Sequence, residues 1–476
     1  MEDTQRRWDE HPDLALARQE ERRGICCLAL RGAAQEQLGA LAEMGAFCVY
    51  REGENAALLY AQDEGAWSPE GLAEALRGMG LQAGLSGPFA LAASARGCMV
   101  KAQLALTTGL RVAPGRTVYP MGEFGEDALL HAARRAMAQQ GFETCDFVNE
   151  ALLRMDRMDA QRDTQYLRSL DAYLGCGMDM KRAAQALGVH RNTLAYRLSR
   201  IGELFGLDLG DVNTCFELLF SLWLMKNLPW DRHAAPDAPF DARAAQAALW
   251  QHVERRAEPV ARAQEPFACA LLCVSVEALA DDRRSALLAA LREAAKELDA
   301  AFAFDEDVLL VAFAPEHMAA LEAAALPMCA ARGCPVVLTQ AFSADRIDAR
   351  ARLCRMALCA ASGPRIPMQD MGSTLLFMAM ERCCSLAPYL CEEVIRVMDD
   401  DAQKGTALSR SLYAYLLHFR DMKRAAQQLH MHRNTMEYHM RKIDALIGET
   451  AGQERRFMMM CTYKMLALPQ LMPHGL

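Results

Sequence analysis

Two short segments of this chain place arginine, asparagine, threonine and tyrosine at one common spacing. They read HRNTLAYR from His190 and HRNTMEYH from His432. Arginine can pair with guanine and asparagine with adenine through two hydrogen bonds each, while threonine suits phosphate oxygens. Residues of these types therefore predict contacts with base edges and with the backbone of DNA.

Both segments belong to a longer internal repeat. The sequence from Asp179 to Arg197 returns 242 positions later as Asp421 to His439, and 22 of 39 positions are identical between 168–206 and 410–448. Solenoid repeats have periods of about 20 to 50 residues. The much longer period here indicates that whole domains were duplicated.

The first copy has the apolar pattern of a helix-turn-helix. Gly188 is expected in the turn, since a positive φ costs glycine little. Three groups of apolar residues predict the packed faces of three successive helices: Leu170, Tyr173 and Leu174; Ala183, Ala184 and Leu187; Leu194, Leu198 and Ile201. This packing leaves Asn192, Thr193, Tyr196, Arg197 and Arg200 largely outward.

Such a motif places the start of its third helix in a DNA major groove. The candidate DNA-binding residues of the first copy are Lys181, Arg182, His190, Arg191, Asn192, Thr193, Tyr196, Arg197 and Arg200. Those of the second copy are Lys423, Arg424, His432, Arg433, Asn434, Thr435, Tyr438, His439, Arg441 and Lys442.

Each candidate also has a purely structural interpretation. Asn192 or Thr193 could simply cap the third helix, because both are good N-caps. Arg191 and Arg433 could be solvated charges. His190 and His432 could be turn residues that bond the backbone.

The second copy departs from the first at three informative positions. His430 replaces Gly188, which costs about 1 kcal/mol in a left-handed turn, so we expect a slightly altered turn. Glu437 replaces Ala195 and His439 replaces Arg197. These exchanges predict that the two copies recognise different half-sites.

The segments before each motif predict an α/β unit, because short β-branched and aromatic runs alternate with helical periods. In the first half we expect a strand (Ile25 to Leu30), a hairpin (Phe47 to Ala61), a helix (Pro69 to Gly78) and an extended segment (Leu81 to Phe89). The second half repeats the order with Cys269 to Val276, a helix from Arg283 to Leu298, a hairpin from Phe302 to Ala314, Cys334 to Ser343 and a helix from Arg346 to Ala361. Three prolines between Pro229 and Asp241 predict a linker.

Composition narrows the class of protein. The net charge of -9 over 476 residues argues against indiscriminate coating of nucleic acid, although local cations can still meet a groove. The 17 cysteines lie in apolar segments without CxxC or zinc-finger spacing, so we expect reduced thiols, no metal and no cofactor. The N-terminus lacks an apolar signal core and no run of 18 apolar residues occurs, which predicts a cytoplasmic protein without a membrane span.

The stretch from Leu167 to Leu209, with its AAQALGVHRNTLAYRLSRIGEL core, resembles the C-terminal helix-turn-helix of the PucR/CdaR family, regulators of purine and sugar-diacid catabolism. The preceding unit is similar to the GGDEF-like domain of that family, and ALLRMD (Ala151 to Asp156) lies where the family joins the two. The resemblance implies an α+β and α mixed fold: two degenerate GGDEF-like (ferredoxin-like) α/β domains alternating with two all-α helix-turn-helix domains. The expected domains are 1–125, 126–228, 242–372 and 373–476, with the linker at 229–241.

The same resemblance implies a sequence-specific transcriptional regulator of a catabolic operon, with double-stranded DNA as its partner. An unknown small-molecule effector and a second copy of the chain are the other expected partners. Family members commonly have a sensory domain in front, whereas this chain begins almost directly in its first α/β unit, so the resemblance does not identify the effector. Tandem duplication suggests that one chain mimics a dimer and reaches half-sites about one helical turn apart.

Three alternatives stay open at this point. A GGDEF-like domain could bind nucleotides or act as a diguanylate cyclase, but the hairpins read REGEN (Arg51 to Asn55) and FDEDV (Phe304 to Val308), where Gly53 alone supplies a glycine. We expect their carboxylates to be solvated hairpin charges rather than magnesium ligands: Glu52, Glu54, Asp305, Glu306 and Asp307. The second helix-turn-helix could serve only as an interaction surface. Met458 to Met460 could face a ligand, although an apolar helical stripe more often belongs to the core.

Overall fold

The structure is a computed structural model, and it describes residues 25–44, 48–52, 54–61, 69–87, 95–230, 239–254, 267–296, 298–360, 363–366, 368–448 and 452–468. In chain order the helices are α1 (Gln35–Glu43), α2 (Pro69–Gly78), α3 (Ala95–Val112), α4 (Met121–Gln140), α5 (Glu150–Arg162), α6 (Tyr166–Gly175), α7 (Met180–Leu187), α8 (Arg191–Phe205), α9 (Val212–Asn227), α10 (Ala242–Val253), α11 (Asp281–Ala294), α12 (Met318–Ala330), α13 (Ile347–Ala360), α14 (Gly372–Glu381), α15 (Glu392–Lys404), α16 (Leu408–Leu417), α17 (Met422–Gln428), α18 (Arg433–Ile447) and α19 (Gln453–Leu466).

The strands are β1 (Ile25–Arg31), β2 (Cys48–Glu52), β3 (Asn55–Ala61), β4 (Ala83–Leu85), β5 (Val118–Pro120), β6 (Ala268–Ser275), β7 (Ala301–Asp305), β8 (Val308–Phe313), β9 (Val336–Leu338), β10 (Phe342–Ser343) and β11 (Arg365–Ile366). In the described part of the chain, helices therefore dominate a mixed α+β structure with two small sheets. Most of the predicted linker, residues 231–238, lies outside the described residues.

The chain divides into two compact units that do not follow the sequence halves. Unit 1 contains Met1–Arg135, Met380–Ala467 and His474–Leu476, and unit 2 contains Ala136–Ala379 and Leu468–Pro473. Unit 1 thus combines the first sheet with the second helix-turn-helix. Unit 2 combines the second sheet with the first helix-turn-helix.

The sheet of unit 1 has the strand order β2-β3-β1-β4-β5, with β1 antiparallel to both β3 and β4. Alternate residues of β1 and β3, such as Leu28 and Leu58, are buried against Leu38 of α1 and Leu72 of α2. A Cβ at Gly84 would lie 2.0 Å from a backbone oxygen of α3. Glycine at this position lets α3 pack directly on β4.

The sheet of unit 2 repeats this order as β7-β8-β6-β9-β11, and β10 pairs with β6. A detail of hydrogen bonding also repeats. The backbone N–H of Cys27 in β1 donates to the Ser86 hydroxyl (3.0 Å), and that of Leu271 in β6 donates to the Thr339 hydroxyl (2.8 Å). The two sheets therefore share their strand order and this side-chain hydrogen bond.

The expectation that the hairpin carboxylates are solvated is wrong for part of the second hairpin. Its carboxylates are not all solvated, because Arg355 of α13 lies 2.7 Å from Asp305 and 2.8 Å from Glu306. The side chain of Asp305 is only 14% exposed. In the first hairpin Glu54 is exposed and lies 3.7 Å from Arg31, whereas Gly53 and the side chain of Glu52 are outside the described residues.

Three further features concern the described residues only. Every cysteine whose side chain is described is a free thiol. Among those same residues, no three His, Cys, Asp or Glu side chains cluster as metal ligands would. The described helices also include none with the length and apolar character needed to cross a membrane.

Candidate nucleic-acid interface

Each helix-turn-helix is anchored by an aspartate at the end of the preceding helix. The carboxylate of Asp159 in α5 accepts the backbone N–H groups of Tyr166 and Leu167 at the start of α6 (2.8 and 2.9 Å). Asp401, 242 positions later, does the same for Leu408 and Ser409 of α16. These bonds satisfy donors that a helix leaves free at its N-terminus and fix the first helix of each motif.

The second helix of each motif begins at another aspartate. Asp179 accepts from the N–H groups of Lys181 and Arg182 (2.9 and 3.0 Å), and Asp421 accepts from the equivalent pair in α17. The cap leaves both cationic side chains exposed. These hydrogen bonds lower the pKa of Asp179, and the bond from the N–H of Arg182 has the largest effect. The Asp179 carboxylate therefore stays ionised at the start of the helix.

The turn between the second and third helices has the predicted backbone in both copies. Gly188 has φ +66° and His430 has φ +52°. The N–H groups of Gly188 and His430 bond the carbonyls of Gln185 and Gln427, each at 3.1 Å. The predicted alteration is small: α17 ends at Gln428, whereas α7 extends to Leu187, the equivalent of Leu429.

The third helix starts at an arginine and is capped by the histidine before it. The Nδ1 atom of His190 accepts from the N–H of Asn192, and that of His432 accepts from Asn434, each at 3.2 Å. The interpretation of these histidines as backbone-bonding turn residues is confirmed. The alternative that Asn192 or Thr193 caps the helix is wrong, because the cap lies before them and both side chains remain exposed.

The inner face of the third helix is apolar at helical spacing. In α8 it consists of Leu194, Leu198, Ile201 and Phe205, and in α18 of Met436, Met440, Ile443 and Ile447, all less than a tenth exposed. Packing of this face against the first two helices fixes which residues point outward.

The structure leaves most of the predicted site residues exposed. In the first copy these are Lys181, Arg182, His190, Arg191, Asn192, Thr193 and Tyr196; in the second they are Lys423, Arg424, His432, Arg433, Asn434, Thr435, Tyr438, Arg441 and Lys442. Tyr196 is 65% exposed and Tyr438 is 49% exposed. Large aromatic side chains at this exposure, beside cations and amides, form a surface suited to a polar, anionic partner.

Two predicted residues point inward instead. Arg197 is only partly exposed and donates to the hydroxyl of Ser169 in the first helix (3.2 Å) and to the side-chain oxygen of Gln165 just before that helix (3.4 Å). Nδ1 of His439 lies 2.7 Å from the hydroxyl of Ser411, which is the equivalent of Ser169. The expectation that Arg197 points outward is wrong, because a buried serine on the neighbouring helix offers it a hydrogen-bond partner.

The charge partners of the two third helices differ. Arg200 is partly exposed and lies 2.6 Å from Glu203. In the second copy Arg433 lies 2.9 Å from Glu437, and the ammonium of Lys442 lies 4.7 Å from the ring centre of Tyr438. Exposed pairs of this kind contribute only a few tenths of a kcal/mol to stability.

A feature missed by sequence reasoning repeats with the same 242-residue offset. Glu150 and Glu392 are the first residues of α5 and α15, and burial raises the pKa of each carboxyl to about 7. The ammonium of Lys101 in α3 lies 3.7 Å from the Glu392 carboxylate, and its positive charge opposes this rise in the pKa of Glu392. The sequence did offer one sign of this pair, because the same residue type, glutamate, stands at equivalent positions of the two repeat copies.

The surroundings of the two glutamates differ in volume. Glu392 borders a cavity of about 680 Å³ in unit 1, lined also by Met121, Tyr389, Arg455 and Met458. Glu150 borders a space of only about 60 Å³ in unit 2. Of the methionines singled out earlier, Met459 and Met460 belong to the core as expected, whereas Met458 lines the larger cavity.

Residues 166–224 and 408–459 each match the PucR C-terminal helix-turn-helix domain. Both segments are therefore similar in sequence to this domain. The matched ranges contain all the predicted site residues and the histidine caps.

Named regulators are among the proteins to which this chain is similar. The chain is 35% identical over 88 residues to the proline-responsive transcriptional activator PutR of Bacillus subtilis (strain 168), which is 18% of this chain and 21% of PutR. It is 44% identical over 57 residues to the carbohydrate diacid regulator of Escherichia coli (strain K12), 12% of this chain and 15% of that protein. The chain thus spans only about a fifth or less of the length of these relatives.

A solved structure, that of the regulator of polyketide synthase expression from Bifidobacterium adolescentis, is 14% identical with a TM-score of 0.23. The match covers 48% of this chain and 94% of that chain.

Proposed function

We propose that this protein is a sequence-specific, DNA-binding transcriptional regulator of the PucR/CdaR type that controls a catabolic operon. One observation carries the proposal. Each of the two third helices, α8 and α18, starts with an exposed arginine, asparagine and threonine. The histidine before each helix forms the N-cap, so these three side chains are not used to cap the helix. These types at the N-terminus of a third helix suit base edges and phosphates in a major groove.

In this proposal the α/β parts are degenerate GGDEF-like domains that position the two DNA-binding motifs or mediate assembly with a second copy of the chain. The repeated strand order of the two sheets supports a common origin. A cyclase function is less well supported, because Arg355 already engages the carboxylates of the second hairpin. Formation of a cyclic dinucleotide from GTP and magnesium by the purified protein would contradict this choice.

The experiment begins with genome-wide occupancy of the tagged protein, followed by binding of the purified chain to duplexes from the occupied sites. We expect Asn192→Ala and Asn434→Ala to weaken specific binding by about 1 to 3 kcal/mol for each lost base contact. Arg283→Ala is the matched control, because Arg283 is an exposed residue of α11 outside both motifs. Wild-type affinity for occupied sites no better than for random duplex would reject the proposal.

Testing each motif separately also addresses the alternative that the second copy is only an interaction surface. If both copies bind DNA, Asn192→Ala and Asn434→Ala should each alter sequence preference. If only Asn192→Ala alters sequence preference, DNA recognition would be assigned to α8, and α18 would contact another partner.

We also propose that the regulator responds to a small molecule bound in the cavity of unit 1. Its volume of about 680 Å³ suits an organic ligand. Glutamates outnumber cations on its wall, so a ligand with a basic nitrogen fits best. Putrescine and agmatine are suitable probes by thermal shift, with succinate as the probe of opposite charge. Equal shifts for wild type and Glu392→Gln with every probe would contradict a site at this cavity.

A further inference from the structure

In the two third helices, the ion pair between an acid and a cation of the same helix lies at opposite ends. In α18 the guanidinium of Arg433 lies 2.9 Å from Glu437, one helical turn later. In α8 the equivalent of Glu437 is Ala195, and within the described part of the chain no carboxylate lies within ion-pair distance of Arg191. The first arginine is therefore neutralised in α18 and unpaired in α8.

At the C-terminal end the pattern is reversed. Arg200 of α8 lies 2.6 Å from Glu203. The equivalent residues of α18 are Lys442 and Ala445, and Lys442 packs over the ring of Tyr438 at 4.7 Å rather than on an acid. Among the described residues, each helix has one cation paired with an acid. This cation is Arg433 at the N-terminal end of α18 and Arg200 near the C-terminal end of α8.

The position of the acid matters because the two ends of a recognition helix contact different parts of DNA. The N-terminal residues meet base edges, and cations farther along meet phosphates. Arg433 must leave Glu437 before it can form a two-pronged contact with guanine. The carboxylate of Glu437, 37% exposed, would then lie without its partner beside a polyanion.

We infer that the two motifs contribute unequally to recognition and that Glu437 sets the difference. The inference rests on the proposed DNA-binding function. The motif containing α8 supplies most of the base discrimination through Arg191. The motif containing α18 holds the duplex mainly through Lys442, Arg441 and Lys423, which favour phosphates, and tolerates more sequences at the Arg433 position.

The inference can be tested by reciprocal exchange in the full-length chain. Wild type, Glu437→Ala and Ala195→Glu are each used to select duplexes from a random library, and the affinities are measured on the selected sites. Glu437→Ala should increase affinity about tenfold and sharpen a guanine preference in one half-site. Ala195→Glu should decrease affinity about tenfold and relax the preference in the other half-site.

Two control variants separate this effect from simple removal of charge. Glu203→Ala removes an equally close acid from α8, but at the end that meets phosphates, so it should raise affinity for all duplexes without altering sequence preference. Glu437→Gln keeps the size of the side chain and should behave as Glu437→Ala does. Circular dichroism of each variant checks that the exposed substitutions leave the helices intact.

Several outcomes would overturn the inference. If Glu437→Ala removes a cytosine preference and weakens binding, Glu437 itself contacts a base, because carboxylates accept from the cytosine amino group. An unchanged half-site preference in both exchanged variants would show that the acid has no role in recognition. If the wild-type protein prefers no duplex, the proposed DNA-binding function itself is rejected. This result differs from a wild type that has a preference which the exchanged variants leave unchanged, and that second result rejects only the role of Glu437.

Discussion

The repeated pair Glu150 and Glu392 predicts a defined pH dependence of stability. Burial raises the pKa of each carboxyl from 4.5 to about 7. Between these values the folded protein holds a proton that the unfolded chain has lost. The contribution of each glutamate is therefore fully present below about pH 4.5 and is lost as the pH rises through about 7.

The magnitude follows from the size of the shift. One pKa unit corresponds to about 1.4 kcal/mol, so each glutamate can change the free energy of unfolding by at most about 3 kcal/mol. Between pH 5 and pH 8 we expect roughly 2 kcal/mol for each, because titration is gradual and both side chains are partly exposed.

The assay is urea unfolding at several pH values for wild type, Glu150→Gln and Glu392→Gln. Each substitution should remove its share of the decline in stability from pH 5 to pH 8. This holds whatever the substitution does to stability at a single pH, for example by removing the negative charge beside Lys101. Glu203→Gln, at an exposed position, is the control. A decline in both variants as steep as in the wild type would refute the reasoning.

Three further predictions concern the motifs. Gly188→Ala should lower the free energy of unfolding by about 1 kcal/mol, because φ is +66° there; His430→Ala should change it little, and equal losses in thermal unfolding would contradict the role of the turn. Asp401→Ala should cost about 1 to 2 kcal/mol, since it removes the acceptor for the first N–H groups of α16; unchanged urea unfolding would show that water replaces this cap. Lys442→Ala should reduce the slope of log affinity against log salt by about 1 without changing sequence preference, and a changed preference would mean that Lys442 reads a base.

The helix-turn-helix motifs could be predicted from sequence because their contacts are local. Apolar spacing identified the buried residues of α8, and the glycine at 188 identified the turn. The hairpins and strands were also predictable, from short apolar runs on either side of a polar turn. Arg197 was misplaced because its position lies at the edge of the outward face, and only the neighbouring Ser169 decides its direction.

Other features depend on contacts that periodicity cannot reveal. The ammonium of Lys101 donates to the carbonyl of Leu390 at 2.9 Å across 289 residues of sequence. Nothing in either segment alone indicates that partner. For the same reason the combination of an α/β part from one half with a helix-turn-helix from the other was not anticipated, and the domain boundaries at 125, 228, 241 and 372 stay predictions.

The composition of unit 1 has a consequence for synthesis of the protein. Its first strands leave the ribosome early, but α15 to α19 emerge only after nearly all of unit 2 has been translated. The face of α3 that later meets Leu390 must therefore remain uncovered during most of translation. A premature stop codon near residue 230 would leave α3 without the segment that later packs on it, and chaperones or proteases would encounter this exposed helix face first.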